Sequence, residues 1–317
     1  MELARIDDRS LTRQVEITDP KLFARYVAYI DASEATVRAY TSSTRNFIQY
    51  LIDRNVTAPR REDVIAYRDD LKAQGYKPAT IQARIIAVRL FFQWLEMSSL
   101  YPDVAKHVKA GKVSTEHKRD YLTRNQLNQV FDGVDTSTLQ GKRDYAILVL
   151  MSCGGLRCIE VSRAKVDDLR TVGEDCVLFV WGKGRTEAAE YVRIPPEVEV
   201  VIRHYLAARR AKSGEPLFTS MSNNSAGHAI TTRSVSRLVK THLREAGFDS
   251  DRLVAHSLRH SAVTIALLEG EDPQHVQEFA RHKSFTTTMR YAHNLDKSKN
   301  TCSRSIAGAI FRPRQRP

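Results

Sequence analysis

The chain has 317 residues, 42% of them hydrophobic, enough apolar material for about two ordinary domains and too much for a chain disordered throughout. Its 49 basic residues outnumber 37 acidic ones, for a net charge of +12, a balance that favours a polyanionic partner without naming one. No apolar run approaches the roughly 20 residues that span a membrane, and the opening MELARIDDRSLTR has no apolar signal region, so neither a membrane span nor secretion is expected.

Residues 1–18 read as an N-terminal extension and residues 19–103 as a helical domain. Asp19 followed by Pro20 is an N-cap and first helical residue, opening LFARYVAYI. Ser33 opens a second helix, with Val37, Tyr40, Phe47 and Leu51 on one face. A third runs from about Glu62 and stops near Gly75. The fourth has the strongest pattern: Ile81, Ile85, Val88, Phe92 and Leu95 recur every three or four residues. Gln82, Arg84 and Arg89 fall elsewhere on that wheel. Four amphipathic helices of this length make a bundle.

Residues 104–120 are basic and weakly periodic and read as an exposed linker. A second domain spans 121–300. Thr123 with Gln126 forms a capping-box pattern. RDYAILVLMSCGGLRCIEV is an apolar helix, a glycine break and a new helix. Val177–Trp181 and Val192–Ile194 read as two strands joined through Gly182-Lys183-Gly184. Helical patterns resume at 196–211, 233–246 and 257–268. The expected class is therefore mainly α with a small antiparallel hairpin, an α+β fold. The tail 301–317 carries Arg304, Arg312, Arg314 and Arg316 with no acid. The four cysteines, Cys153, Cys158, Cys176 and Cys302, form no C-x-x-C pair and read as reduced thiols rather than zinc ligands.

Several polar residues stand in apolar surroundings in the second domain. Arg157 opens a helix after two glycines; it reads either as a phosphate donor or as the ion-pair partner of Glu160. Lys183, in a tight turn, is a solvated turn residue or a mobile proton donor. His256 and Arg259 share a helix face and can address one anion; His256 with His260 also has the four-residue spacing of helical metal ligands, but no third ligand is evident. His282 and Tyr291 lie nine residues apart, with Thr286–Thr288 capping or opening a helix between them.

Together these residues are cations and a phenol, without a carboxylate pair, a metal cage or a phosphate-cradling glycine loop. That set suits phosphoryl transfer at a diester. Guanidinium and imidazole donors stabilise charge growing on the non-bridging oxygens, and the loss of one such donor typically costs about 100- to 1000-fold in rate. A phenol with a pKa near 10 needs neighbouring cations, or a histidine that accepts its proton, to become a nucleophile.

The order Arg, Lys, His-x-x-Arg, His, Tyr resembles the tyrosine recombinases, the phage integrase family. GGLRCIEV resembles the family's first arginine motif, with Arg157 as the catalytic arginine and Glu160 as its acidic support. WGKGR is similar to the hairpin that carries the catalytic lysine, Lys183. HSLRH matches the His-x-x-Arg box, giving His256 and Arg259 those roles. His282 matches the second histidine, and Tyr291, in TTTMRYAHN, the nucleophile. Three features depart from the pattern: Ala280-Arg281 stands where the family usually has Leu-Gly, Gly154 where it often has threonine, and RTEAAEY after the turn is acidic, closer to mobile-element integrases than to chromosome-dimer resolvases.

The resemblance implies a helical core-binding domain followed by a mostly helical catalytic domain. It implies a site-specific recombinase acting through a 3′-phosphotyrosine, with no cofactor, metal or ATP. It implies double-stranded DNA bearing specific sites as the partner, a homo-tetramer on DNA, accessory DNA-bending proteins as further partners, and a cytoplasmic, nucleoid-associated location. In the tail, Ile306, Ala309, Ile310 and Phe311 form an apolar face that docks on a neighbouring protomer or packs on the same chain. Two other readings share much of the sequence: a type IB topoisomerase-like enzyme that relaxes supercoils, and a DNA-binding regulator that no longer cleaves.

Overall fold

The computed structural model describes residues 16–111, 120–181 and 190–291. Lys183, the linker residues 112–119 and the tail face of Ile306, Ala309, Ile310 and Phe311 lie outside them. The chain divides into two compact units, 1–116 and 117–317. Among the described residues it is mostly helical with one small antiparallel sheet, the class expected.

The first unit holds α1 (Pro20–Tyr29), α2 (Glu34–Asp53), α3 (Arg61–Ala73) and α4 (Pro78–Met97). Asp19 caps α1, its Oδ1 accepting from the Lys21 N–H at 2.9 Å, and Ser33 caps α2 through the Thr36 N–H. α4 forms the centre, burying Ile81, Ile85, Val88, Phe91, Phe92, Trp94 and Leu95. Around it an aromatic lattice closes, with Tyr26 edge-on to Phe91 at 5.0 Å and Phe47 edge-on to Tyr67 at 5.1 Å. Fully burying a large apolar side chain contributes about 1.5–3 kcal/mol, so this lattice adds substantially to the unit's stability, beside the aliphatic residues of the same core.

The start of the segment expected as an exposed linker, residues 104–110, packs on the first unit. Ala105 and Val108 are buried in the bundle core, and Arg61, Arg68 and Arg89 donate to the carbonyls of Lys106, Lys109 and Val108. These contacts join residues 19 to 45 positions apart, so local periodicity does not reveal them. Arg89 is part-buried against the Val108 carbonyl, and Arg84 lies over the Tyr76 ring at 4.2 Å.

The second unit contains α5 (Arg124–Asp132), α6 (Leu139–Cys153), α7 (Cys158–Arg163), α8 (Pro196–Ala208), α9 (Thr232–Glu245), α10 (Ala255–Leu268) and α11 (Pro273–Ala280). β1 (Leu169–Val172), β2 (Asp175–Val180) and β3 (Glu190–Arg193) form an antiparallel sheet in the order β1-β2-β3. Thr123 and Gln126 cap α5 reciprocally, as the sequence pattern indicates. β1 does not stand out in the sequence because it is four residues long and mostly exposed, and it pairs Leu169 with Leu178 across the turn at Gly173. α11 was not expected, yet it begins with the same Asp-Pro pair as α1: Asp272 accepts from the Gln274 N–H at 2.7 Å.

α6 is the central helix, packed against α8 and α10 and buried on almost every side. It carries an internal ion pair. Arg143 contacts Asp144 at 2.6 Å and donates to the Thr219 carbonyl at 3.1 Å, and His242 reaches the same carboxylate at 3.4 Å. Cys153, Cys158 and Cys176 are thiols. No helix among the described residues is long and apolar enough to cross a membrane.

Candidate active site

Local sequence sets the first arginine in place. α6 ends at Cys153, and Gly155 turns the chain with a φ of 58°, a conformation open to glycine. A Cβ on Gly155 would also lie 3.0 Å from the Phe279 ring. Leu156 is buried, and Arg157 then takes an extended backbone as the N-cap of α7. Glu160, three residues on, reaches back: its Oε2 accepts the Arg157 N–H at 2.8 Å and its Oε1 pairs with the Arg157 guanidinium at 2.7 Å. The Glu160 side chain is 1% exposed and that of Arg157 34%, so the carboxylate is interior and the guanidinium reaches the surface. The ion-pair reading of Arg157 thus describes a real contact, and one that leaves the guanidinium accessible.

α10 supplies the second arginine. Arg259 is 1% exposed and donates to the carbonyls of Gly155 and Ala280, which joins α10 to the turn before α7 and to the end of α11. His256 lies in the first turn of α10, half-buried. His260, one turn on, is taken up in aromatic contacts, its ring centroid 5.9 Å from that of Tyr121 and 4.7 Å from that of Tyr291. Among the described residues no group of three or more His, Cys, Asp or Glu side chains gathers as a metal site.

Past α11 the chain turns sharply. Arg281 adopts the left-handed conformation (φ 51°, ψ 47°), which costs a residue with a side chain roughly 1–2 kcal/mol. Its side chain folds inward to 5% exposure, pairing with Glu160 Oε2 at 2.7 Å and donating to the carbonyls of Gly155 at 3.1 Å and Phe279 at 2.9 Å. The Arg281 carbonyl accepts from the Arg157 guanidinium at 3.2 Å. His282 follows, its Nδ1 sharing a 2.9 Å hydrogen bond with the hydroxyl of buried Thr288. Beside these residues opens a groove of about 1060 Å³, lined by Arg281, His282, Lys283, Gln274 and Gln277 among others.

Residues 285–291 are helical, and Tyr291 is 4% exposed, its ring packed with Val263, Val276 and Ala280. It stacks on His282, centroids 5.9 Å apart with planes 19° from parallel. A buried phenol thus ends a polar, partly exposed stretch.

Charges in this cluster act on one another. Burial first, then the guanidiniums of Arg157 and Arg281, push the pKa of Arg259 down to about 9, so it stays cationic at neutral pH; the Tyr291 phenol acts on it in the opposite sense. Burial, followed by Arg259, Arg157, His256 and Arg281, lowers His282 to about 4, so at neutral pH its imidazole is uncharged. Burial alone would raise the Glu160 carboxyl, but the Arg281 charge, the Arg157 N–H and the Arg157 charge together hold it below the usual carboxylate range.

Of the six residues singled out from the sequence, Arg157, His256, Arg259, His282 and Tyr291 gather in this one region, and Lys183 lies outside the described residues. Three others in the cluster are not legible in the sequence, where His260 reads only as a metal ligand, Thr288 as part of a cap and Arg281 as a departure from the usual glycine.

The sequence from 120 to 298 matches the model of the phage integrase family, and residues 21–98 match the phage integrase N-terminal SAM-like domain. The chain belongs to the phage integrase family. As a tyrosine recombinase it is an enzyme that cleaves and rejoins DNA strands. It is 30% identical over 288 residues to tyrosine recombinase XerD of Lacticaseibacillus casei, covering 86% of this chain and 93% of that protein. To tyrosine recombinase XerD of Listeria innocua serovar 6a it is 26% identical over 271 residues, covering 82% and 88%. Its fold resembles that of XerH recombinase bound to palindromic difH substrate in a post-cleavage complex, with a TM-score of 0.71 at 17% identity, over 93% of this chain and 91% of that one. It also resembles a lambda integrase dimer bound to a COC′ core site, with a TM-score of 0.64 at 16% identity, over 84% and 96%.

Proposed function

We propose that this tyrosine recombinase exchanges strands between specific DNA sites through a covalent phosphotyrosine, using Arg157, His256, Arg259, His282, Lys183 and Tyr291. The Tyr291 oxygen attacks the scissile phosphorus and the bond to the 5′ oxygen breaks, leaving a 3′-phosphotyrosyl link and a free 5′-hydroxyl. Arg157, Arg259 and His256 stabilise the charge on the non-bridging oxygens. Neutral His282 takes the phenolic proton, and Lys183 gives a proton to the departing 5′ oxygen. The 5′-hydroxyl of a partner strand then attacks the phosphotyrosine and expels Tyr291. The covalent link conserves the energy of the broken ester, and cationic donors carry the transition-state charge, so the scheme requires neither ATP nor a metal.

The observation that carries this reading is the stacking of buried Tyr291 on His282 in the same unit that holds Arg157 and Arg259. On this reading the partners are two DNA sites with inverted arms, held by a homo-tetramer and accessory DNA-bending proteins. The palindromic substrate of XerH supports the inverted arrangement. The acidic stretch 185–191 supports an integrase or excisionase type of exchange.

The test uses nicked suicide duplexes selected from random DNA by binding to the protein. A denaturation-resistant adduct that disappears in Tyr291→Phe is expected, with crossed products from two intact sites. Supercoil relaxation without crossed products indicates a topoisomerase-like enzyme. Absence of any adduct on every selected duplex refutes the mechanism.

A further inference from the structure

Arg281 occupies a place that asks for glycine, a left-handed turn between a helix end and a site histidine. Its side chain does not reach out to solvent from that turn. It runs inward, to 5% exposure, and ends on Glu160, a carboxylate already bonded to Arg157. One carboxylate therefore serves two guanidiniums: Oε1 takes the Arg157 side chain, and Oε2 takes both the Arg157 N–H and Arg281.

Two consequences follow from the geometry. The first concerns charge. A lone Arg157–Glu160 pair is close to neutral, which would blunt Arg157 as an anion donor. With Arg281 on the other oxygen, the trio carries a net positive charge next to Arg259. The second concerns position. Arg281 and Arg259 both donate to the Gly155 carbonyl, the hinge that aims Arg157, while the Arg281 carbonyl itself accepts from Arg157. Arg281 thus holds Arg157 through its carboxylate partner, through the turn before it and through its own backbone.

We propose that Arg281 is a positioning residue for DNA cleavage: it clamps Glu160, keeps Arg157 aimed at the phosphate and restores to the site the positive charge that Glu160 alone would cancel. Its Nη1 and Nη2 groups donate to protein oxygens, so it acts through Arg157 rather than on DNA. The proposal rests on the assignment of Arg157 to the scissile phosphate under Proposed function.

The test has a DNA-free arm and a cleavage arm, both with the full chain. In the first, melting temperatures are measured for wild type, Arg281→Gly, Glu160→Gln and the double variant. Loss of either clamp partner should leave less for the second substitution to remove, so the two shifts should combine to much less than their sum. Additive shifts would mean that the two side chains are not coupled and would overturn the clamp. In the second arm, adduct formation is followed on the selected nicked duplexes. Glycine is at ease in this turn, so a residue present only by tolerance would cleave as well or better as Arg281→Gly. The clamp instead predicts a cleavage rate lower by about 100-fold, the cost of a misaligned group, with DNA affinity nearly unchanged. It predicts partial recovery when guanidinium ion is added to Arg281→Gly at concentrations that do not unfold it. Undiminished cleavage by Arg281→Gly, or no recovery with guanidinium, refutes the positioning role. If the two substitutions are coupled in melting while wild type forms no adduct on any duplex, the clamp stands and the cleavage mechanism fails.

Discussion

The His260 ring lies 4.7 Å from that of Tyr291, tilted by 44°, and both rings are almost wholly shielded from solvent. Aromatic pairs of this geometry contribute about 0.5–1.5 kcal/mol beyond the area they bury. His260 is rooted in α10 one residue after Arg259, so the contact ties the phenol to the same helix that carries the second arginine.

Replacing His260 with alanine should therefore loosen Tyr291. We expect adduct formation to slow by roughly 3- to 10-fold, the rate equivalent of that pair energy. Single-turnover cleavage on a suicide duplex, with DNA binding measured in parallel, checks this. A loss confined to binding would contradict it.

His282 and His242 should give opposite pH signatures in the DNA-free protein. His282 is lowered to about 4, so between the ordinary histidine value of 6.5 and about 4 the unfolded chain binds a proton that the folded chain does not, and stability falls as pH drops through that window. His242 is raised, chiefly by its hydrogen bond to Asp144, so its contribution is fully present below 6.5 and is lost as pH rises through its folded value. Melting curves across pH should lose part of their acid slope in His282→Asn and part of their neutral-to-alkaline slope in His242→Gln.

Thr288→Val should remove the hydroxyl that meets His282 Nδ1 at 2.9 Å while leaving the helix intact. A buried hydrogen bond contributes about 0.5–1.5 kcal/mol and an orphaned partner costs about 1–3 kcal/mol. We expect a lower melting temperature and a cleavage rate reduced by about tenfold, read in single-turnover assays.

Gly155→Ala places a methyl group 3.0 Å from the Phe279 ring at a φ of 58°. Left-handed strain and overpacking together should destabilise the second unit by about 2–4 kcal/mol, measured by denaturant unfolding. Because the Gly155 carbonyl accepts from Arg259 and Arg281, cleavage should fall as well, even well below the melting temperature.

Asp144→Ala strands Arg143, 7% exposed, in the interior of the second unit. Breaking one side of a buried pair typically costs about 3–5 kcal/mol, so a large drop in denaturant midpoint is expected. The replacement of both residues by apolar side chains should cost much less.

Short-range chemistry was written in the order of residues. The caps at Asp19, Ser33 and Thr123 bond two or three positions ahead, and the α4 stripe repeats every turn, so local spacing alone specified them. The order of Arg157, His256, Arg259, His282 and Tyr291 likewise carried the resemblance to the family whose model matches residues 120–298. What the linear chain did not determine are contacts closed over long separations. Arg281 meets Glu160 across 121 positions, and Leu122 donates to Ser261 across 139. No periodicity carries such pairings; they exist only once α6, α7, α10 and α11 have packed and their ends converge. Only that packing turned an arginine in a left-handed turn into a partner of Glu160 and set the Tyr291 ring among Val263, Val276 and Ala280.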